Sequence, residues 1–239
     1  MHKQFFKDFQ GAISPERLAV YNDQPTSGTT TVEAISLARY MLNMMLCESL
    51  YSSLQMCEVG LRNAIHHELS KLNGCDDWYD CPNFQLTSWA QTEVANAKSK
   101  INIARKPVTP GRVISEMNFG FWTSLFESHY EQRTNFLPAG IKGVFPYLPK
   151  SLHNRKDRKA ELEKIRQLRN RVFHHERIIH WKDLDSRHQQ IHNVLGWIDP
   201  SLQHMVQAVD RFTNLRRTGL KPWIDLIQTK WPPQKVATS

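Results

Sequence analysis

Two stretches of the chain set the same chemistry-bearing residues in the same order. "LRNAIHHEL" covers residues 61–69 and "LRNRVFHHER" covers residues 168–177. Each places a guanidinium, a carboxamide and two imidazoles within two or three helical turns. Imidazole is the side chain that titrates near neutral pH, and a guanidinium beside it suits an anion. In the second stretch Asn170, His174 and Arg177 fall at i, i+4 and i+7, which places them on one helical face. Arg169 flanks that face, Arg166 lies one turn earlier, and Ile165, Leu168 and Val172 supply the apolar stripe. Arg169 and His174 have Arg-x4-His spacing, and His175 gives Arg-x5-His. In the first stretch Arg62 and His67 repeat the Arg-x4-His spacing beside Asn63. Glu58, one turn before Arg62, is placed for an (i, i+4) ion pair with it. Eleven histidines and 31 Lys+Arg produce such spacings by chance. The residues alone therefore leave open a solvated helix face, a hydrogen-bonded structural cluster and a functional site.

The elements that must position these residues read as helices nearly throughout. Residues 14–24 read as a short helix, with Ser14 as cap and Pro15 in the first turn. A polar loop, "NDQPTSGTTT", follows, and Thr30 with Glu33 forms a capping-box pattern. From there to about residue 72 the chain has no proline and only Gly60. Ile35, Leu42, Leu46, Leu50, Leu54, Val59, Leu61, Ile65 and Leu69 keep mostly helical spacing, which predicts one long helix or two joined by a slight break. "NGCDDWYDCPN" reads as a loop, 86–105 and 111–131 as helices, and "LPAGIKGVFPYLPK" as an irregular apolar segment packed on the core. A helix over 150–180 carries the second stretch. A linking segment, a helix over 200–217 and a Trp-rich tail complete the chain. No strand alternation is present. The expected fold class is all-α, one helical domain over 1–239 with 1–30 and 218–239 peripheral.

Length and composition set the bounds. At 239 residues and 40% hydrophobic content the chain is long enough for a sizeable core. The net charge of +8 points to an anionic partner, nucleic acid before a membrane surface. The N-terminal stretch lacks the apolar region and cleavage site of a signal peptide, and no segment has the apolar length of a membrane span. The four cysteines contain no CxxC pair. Cys75 and Cys81, with His66 and His67 nearby in sequence, match no standard zinc spacing. The expectation is a cytoplasmic protein with reduced thiols, no bound metal and no cofactor.

The segment "RNRVFHHERI" resembles the RN-x3-HH-x-R-I signature of the Abi-like (abortive infection) proteins, a branch of the HEPN superfamily. "ISPERLAVY", "LQMCEVGLRNAI" and "SEMNFGFWTSLF" resemble, in order, the other recurring segments of that family, so the resemblance spans roughly residues 13–180. It implies a HEPN-type helical bundle, a homodimer, and metal-independent endoribonuclease activity of the toxin and phage-defence type. An antitoxin, protein or RNA, is an implied partner alongside the RNA substrate. Carried over residue by residue, the resemblance places Arg169, Asn170 and His174 in the catalytic site, with His175 as the alternate histidine. Glu58 and Arg62 match the Glu-x3-Arg of the family's first helix and would line the same cleft, with Asn63, His67, Arg166 and Arg177 about it. Some relatives carry a tyrosine two residues after the histidine; here that position is Glu176.

The implied chemistry suits these residue types. Cleavage by the 2′-hydroxyl needs a base, an acid for the leaving 5′-oxygen and cations for the phosphorane. Histidine can serve as base or acid near pH 7, and an arginine fork can hold the phosphate. Two protomers paired about a two-fold axis would bring two histidines together, one for each role. The same residues would suit a module that grips RNA without cutting it.

Overall fold

The computed structural model describes residues 3–22, 31–132, 136–137 and 139–230. All regular structure among them is helical, in the order α1 (Lys3–Ile13), α2 (Pro15–Ala19), α3 (Val32–Asn73), α4 (Ser88–Ile103), α5 (Pro110–Glu116), α6 (Phe119–Ser124), α7 (His129–Gln132), α8 (Ala139–Val144), α9 (Arg155–Phe173), α10 (Leu184–Ile198), α11 (Pro200–Val209), α12 (Phe212–Thr218) and α13 (Lys221–Lys230), with single 3-10 turns at Trp78–Asp80 and Lys150–Leu152. The all-α expectation holds. Among the described residues, no helix is long and apolar enough to cross a membrane.

The chain forms two compact units. The first takes in Met1–Tyr51, Arg171–Asp185 and Asp210–Ser239, the second Ser52–Asn170 and Ser186–Val209. Both α3 and α9 therefore contribute to each unit.

The 42-residue α3 is a single helix, because its apolar stripe never loses phase. Leu42, Leu46, Leu50, Leu54, Leu61, Ile65 and Leu69 are all buried, with Cys57 filling the place between Leu54 and Leu61. Val59 falls off that stripe and is half-buried. Gly60 does not break the helix; it admits a close neighbour. A Cβ there would lie 3.1 Å from Leu202 Cδ1.

In the first unit, Ala34, Leu37, Ala38 and Ile227 form a buried cluster against Phe6, Phe9, Leu220, Trp223 and Ile224. The N-terminal α1 and C-terminal α13, neither read as a helix in the sequence, thus build one face of this core. The second unit is centred on aromatic side chains: Trp78, Phe121, Trp122, Phe126, Tyr130, Phe136 and Phe145 are fully buried. Their rings meet largely edge to face, as at Phe121–Trp122 (5.0 Å) and Trp78–Phe84 (5.3 Å). Leu162, Ile165 and Leu168 of α9 are buried in the same unit.

Several boundaries depart from the sequence reading. Of the expected 14–24 helix, residues 14–22 contain only α2, capped by the Ser14 hydroxyl, which accepts from Arg17 N, and residues 23–24 lie outside the described residues. The cap of α3 is Thr31, whose hydroxyl accepts from Ala34 N at 3.3 Å; Thr30 and most of the preceding loop lie outside the described residues. The 111–131 helix divides into α5, α6 and α7, since Met117 is extended and the Asn118 side chain caps α6 at Phe121 N. The apolar segment after it contains α8 and buries Ile141, Val144, Phe145 and Leu148 as expected. The linking segment is the helix α10, and 200–217 is two helices, α11 and α12. The most consequential departure is at α9, which ends at Phe173 rather than near residue 180.

Candidate functional site

The end of α9 is a C-terminal turn built without glycine. His175 N–H donates to Val172 O (3.1 Å) and Glu176 N–H to Arg171 O (2.8 Å). That pair of bonds is the Schellman pattern, and it puts His175 in the left-handed region at φ 57°. A side chain at this position costs about 1–2 kcal/mol relative to ordinary backbone. The same pair of bonds closes α4 at Arg105, φ 54°; at His175 side chains from elsewhere in the chain hold the turn as well.

Those contacts are identifiable. Arg17 Nη2 donates to the His175 carbonyl at 2.6 Å. Asn43, buried in α3, donates from Nδ2 to Glu176 O (3.2 Å), and its Oδ1 accepts from Ile178 N (2.8 Å) and Ile179 N (3.1 Å). One carboxamide thereby satisfies three main-chain groups of the segment that leaves the helix. Glu176 is tied back to Arg171 at 2.7 Å. Arg177 donates from Nε to His180 Nδ1 at 3.1 Å, and its guanidinium lies 5.8 Å from the Tyr21 ring centroid. Between these tethers the side chains of His174 and His175 remain exposed.

Because the helix stops at Phe173, the expected shared face of Asn170, His174 and Arg177 does not form. His174 is the helix's last, capping residue and Arg177 lies beyond it. Two concavities of the first unit open at this turn. One, about 550 Å³ and largely apolar, is lined by Tyr40, Met44, Tyr51, Phe173, Arg17 and His175 among others. Tyr51 and Phe173 stack at 5.2 Å on its wall, and Tyr51 is half exposed. The other, about 540 Å³, is lined by Arg17, Tyr21, Arg171, His175, Arg177 and His180. His175 and Arg17 border both.

In the second unit the structure joins Glu58 to Arg169. Arg169 Nε donates to Glu58 Oε2 at 3.1 Å, with both side chains about one-quarter exposed. The expected pair within α3 is replaced by this one: Glu58 is engaged by α9, and Arg62, one turn on, directs Nε to Asn63 Oδ1 at 3.4 Å. Asn170 Oδ1 lies 3.5 Å from Arg169 Nη1. Arg166 forms a two-point pair with Glu163 (2.9 and 2.7 Å), which holds the Glu163 carboxyl below the usual carboxylate range. It faces a separate cavity of about 450 Å³ with Trp89, Thr123, Glu127 and Lys159.

His67 is not brought to the Glu58–Arg169 pair. Nine residues along a helix amount to about 13 Å of rise and roughly half a turn of phase, so His67 emerges on the far side of α3. It borders a shallow depression with Ser70, Lys71, Gly74, Cys75 and Asp76. Its neighbour His66 has a structural partner. Trp78 Nε1 donates to His66 Nδ1 at 3.0 Å, and burial lowers the His66 pKa.

Arg17 and Asn43 escaped the sequence reading as site residues. Arg17 lies in the "ISPERLAVY" segment that carries part of the family resemblance. Asn43 is a lone carboxamide within an apolar helical stretch, a pattern that signals a buried polar group with work for every hydrogen-bonding atom. Comparison with protein families, curated proteins and solved structures finds no match to this chain.

Proposed function

We propose that the protein is a metal-independent endoribonuclease of the Abi-like, HEPN type, acting as a homodimer. The observation that supports it most is the clamped turn: a strained, non-glycine left-handed residue, held by Arg17 and buried Asn43, that leaves two adjacent imidazoles exposed. Local strain that is imposed by other residues and ends in exposed titratable groups is characteristic of functional sites. In this reading His174 is the base or acid and His175 the alternate. Arg169, five residues before His174, is oriented by Glu58 and supplies the phosphate fork, with Asn170 beside it. The acidic groups nearest the motif, Glu58 and Glu176, are each engaged by an arginine, which disfavours their use as Mg²⁺ ligands. The apolar cavity bordered by Tyr51, Phe173 and His175 suits an unstacked base, since aromatic faces accept bases of any sequence.

The test is incubation of purified protein with single-stranded RNA and with DNA, in EDTA. Cleavage of RNA alone, leaving a 2′,3′-cyclic phosphate, is the expected outcome, because DNA lacks the attacking hydroxyl. RNA bound but not cut would favour a non-catalytic RNA-binding module. A 5′-phosphate product, or activity lost with chelator, would overturn the mechanism.

A further inference from the structure

The loop between α3 and α4 gathers two sulfurs and a carboxylate that lie apart in sequence. Gly74, at φ 70°, turns the chain off the end of α3. The 3-10 turn follows, with Asp80 N bonded to Asp77 O (2.8 Å), Cys81 N to Trp78 O (3.1 Å) and Phe84 N to Cys81 O (3.0 Å). These successive turns carry Cys81 back to the start of the loop. Trp78 is fully buried and its indole is bonded to His66, so the scaffold beneath them is fixed. One ligand atom from each of Cys75, Asp77 and Cys81 lies within 4.8 Å of the others. Cys75 and Cys81 are only partly buried, and Asp77 is exposed, so an ion can reach them from solvent. Asp80, another carboxylate of this loop, is taken by Lys98 at 2.6 Å.

We propose that Cys75, Asp77 and Cys81 form a binding site for Zn²⁺ or a similar thiophilic divalent cation, with water completing a tetrahedron. Zinc takes thiolate sulfur at about 2.3 Å and carboxylate oxygen at about 2.0–2.2 Å. Tetrahedral coordination at those lengths separates the ligand atoms by roughly 3.5–4 Å, which the loop reaches by side-chain rotation. A coordinated thiol is deprotonated outright, so binding exchanges thiol protons for metal, and affinity rises with pH. The other two cysteines do not compete: Cys47 and Cys57 are buried in α3, which pushes them up to about 11 and about 12. The Cys-x5-Cys spacing matches no standard zinc site; the turns, not the spacing, bring the ligands together.

The test is titration of the full-length, freshly reduced protein with Co²⁺ as a spectroscopic stand-in for Zn²⁺. One equivalent should develop thiolate-to-cobalt charge-transfer absorption and the visible bands of tetrahedral cobalt, both displaced by Zn²⁺. Cys75→Ser and Cys81→Ser should each abolish the charge-transfer signal, and Asp77→Asn should weaken binding at least tenfold. Zn²⁺ should raise the Tm of the wild type and leave that of Cys81→Ser unchanged, a readout independent of RNA cleavage. Absence of charge-transfer absorption in the reduced wild type, or its persistence in both serine variants, would overturn the site.

Discussion

In the first copy of the repeated motif, residues 61–69, the helix runs straight through. Leu61, Ile65 and Leu69 are buried, His66 accepts from Trp78, and His67 stands on the surface. In the second copy, residues 168–177, the same letters straddle a helix end, and the second histidine sits in a left-handed turn held by Arg17 and Asn43. The contrast teaches that Leu-Arg-Asn followed by His-His-Glu does not define a structure. In the first copy the imidazoles are used as helix-surface and core-edge groups. In the second they are presented from a backbone that other parts of the chain force into shape.

The largest expected difference between the copies is in activity. His174→Ala should lower RNA cleavage by about 10²–10⁴-fold, the usual contribution of a positioned acid or base, while its circular dichroism stays unchanged. His67→Ala should remain close to wild type. Arg169→Lys should lose about 10²-fold or more, because an ammonium cannot reproduce the planar fork held by Glu58. Arg62→Lys should be milder. Equal losses from His67→Ala and His174→Ala in single-turnover cleavage would break the comparison and make the first copy a genuine half-site. Full activity in His174→Ala would move the role to His175.

The next effect concerns the clamp, which the first copy lacks. Asn43→Ala strands Ile178 N, Ile179 N and Glu176 O, of which Ile178 is fully buried. Such a loss should cost about 2–3 kcal/mol, or a fall in Tm of roughly 5–10 °C for a chain of this size, with cleavage reduced alongside. Asn43→Asp keeps the acceptor for both amides and loses the donor, so its Tm should fall between the two. A wild-type melting curve for Asn43→Ala would mean that the turn at His175 is set locally.

The clamp also explains what the sequence could and could not disclose. The all-α class and the single helix through residues 32–73 were legible because an apolar stripe in constant phase is a local signal. The end of α3 was legible too, since Gly74 follows Asn73. The end of α9 was not: no glycine or proline follows Phe173, and the side chains that hold the segment beyond it, Asn43 and Arg17, lie more than a hundred residues away. The same holds for Glu58, which sequence paired with Arg62 one turn on and the fold pairs with Arg169. Of the candidate site, the residue types were readable. The partners that orient them were not, because pairing across elements leaves no periodic trace. The His-x3-His pair His188 and His192 of α10, with Nε2 atoms 3.1 Å apart, leaves no sequence signal for a related reason, since its segment lacks a strong apolar period.

A smaller effect should come from His66 in the first copy. Its Nδ1 accepts from the Trp78 indole, so the ring must be neutral with its proton on Nε2. Burial lowers its pKa in the folded protein, so the unfolded chain binds the proton more readily. The stabilisation is therefore complete above the unfolded value, near 6.5, and declines as pH falls through the folded value. Between pH 8 and pH 5.5 the wild type should lose more Tm than His66→Gln, whose amide oxygen can accept from the indole at both pH values. Parallel losses would show that His66 is not the group responsible.

The smallest expected effect has the sharpest sign. Glycine at position 67 would sit in the interior of α3, where it costs a few tenths to 1 kcal/mol in helix propensity relative to most residues. Glycine at position 175 would occupy a left-handed C-terminal turn, where it relieves the penalty on a side chain but adds freedom to the unfolded chain. The net gain there should be about 0.5–1 kcal/mol. His67→Gly should therefore lower Tm by roughly 1–3 °C and His175→Gly raise it by a similar amount, although both remove an exposed histidine from a His-His pair. Cleavage assays on the same two proteins separate the role of the His175 imidazole from that of its backbone. A more stable His175→Gly with impaired cleavage would mean that strain is retained at this turn for the imidazole it presents. A more stable variant with intact cleavage would leave His174 as the working histidine and His175 as a residue whose backbone alone matters. A fall in Tm for both variants would show that the two copies share a helical environment, and the contrast between them would fail.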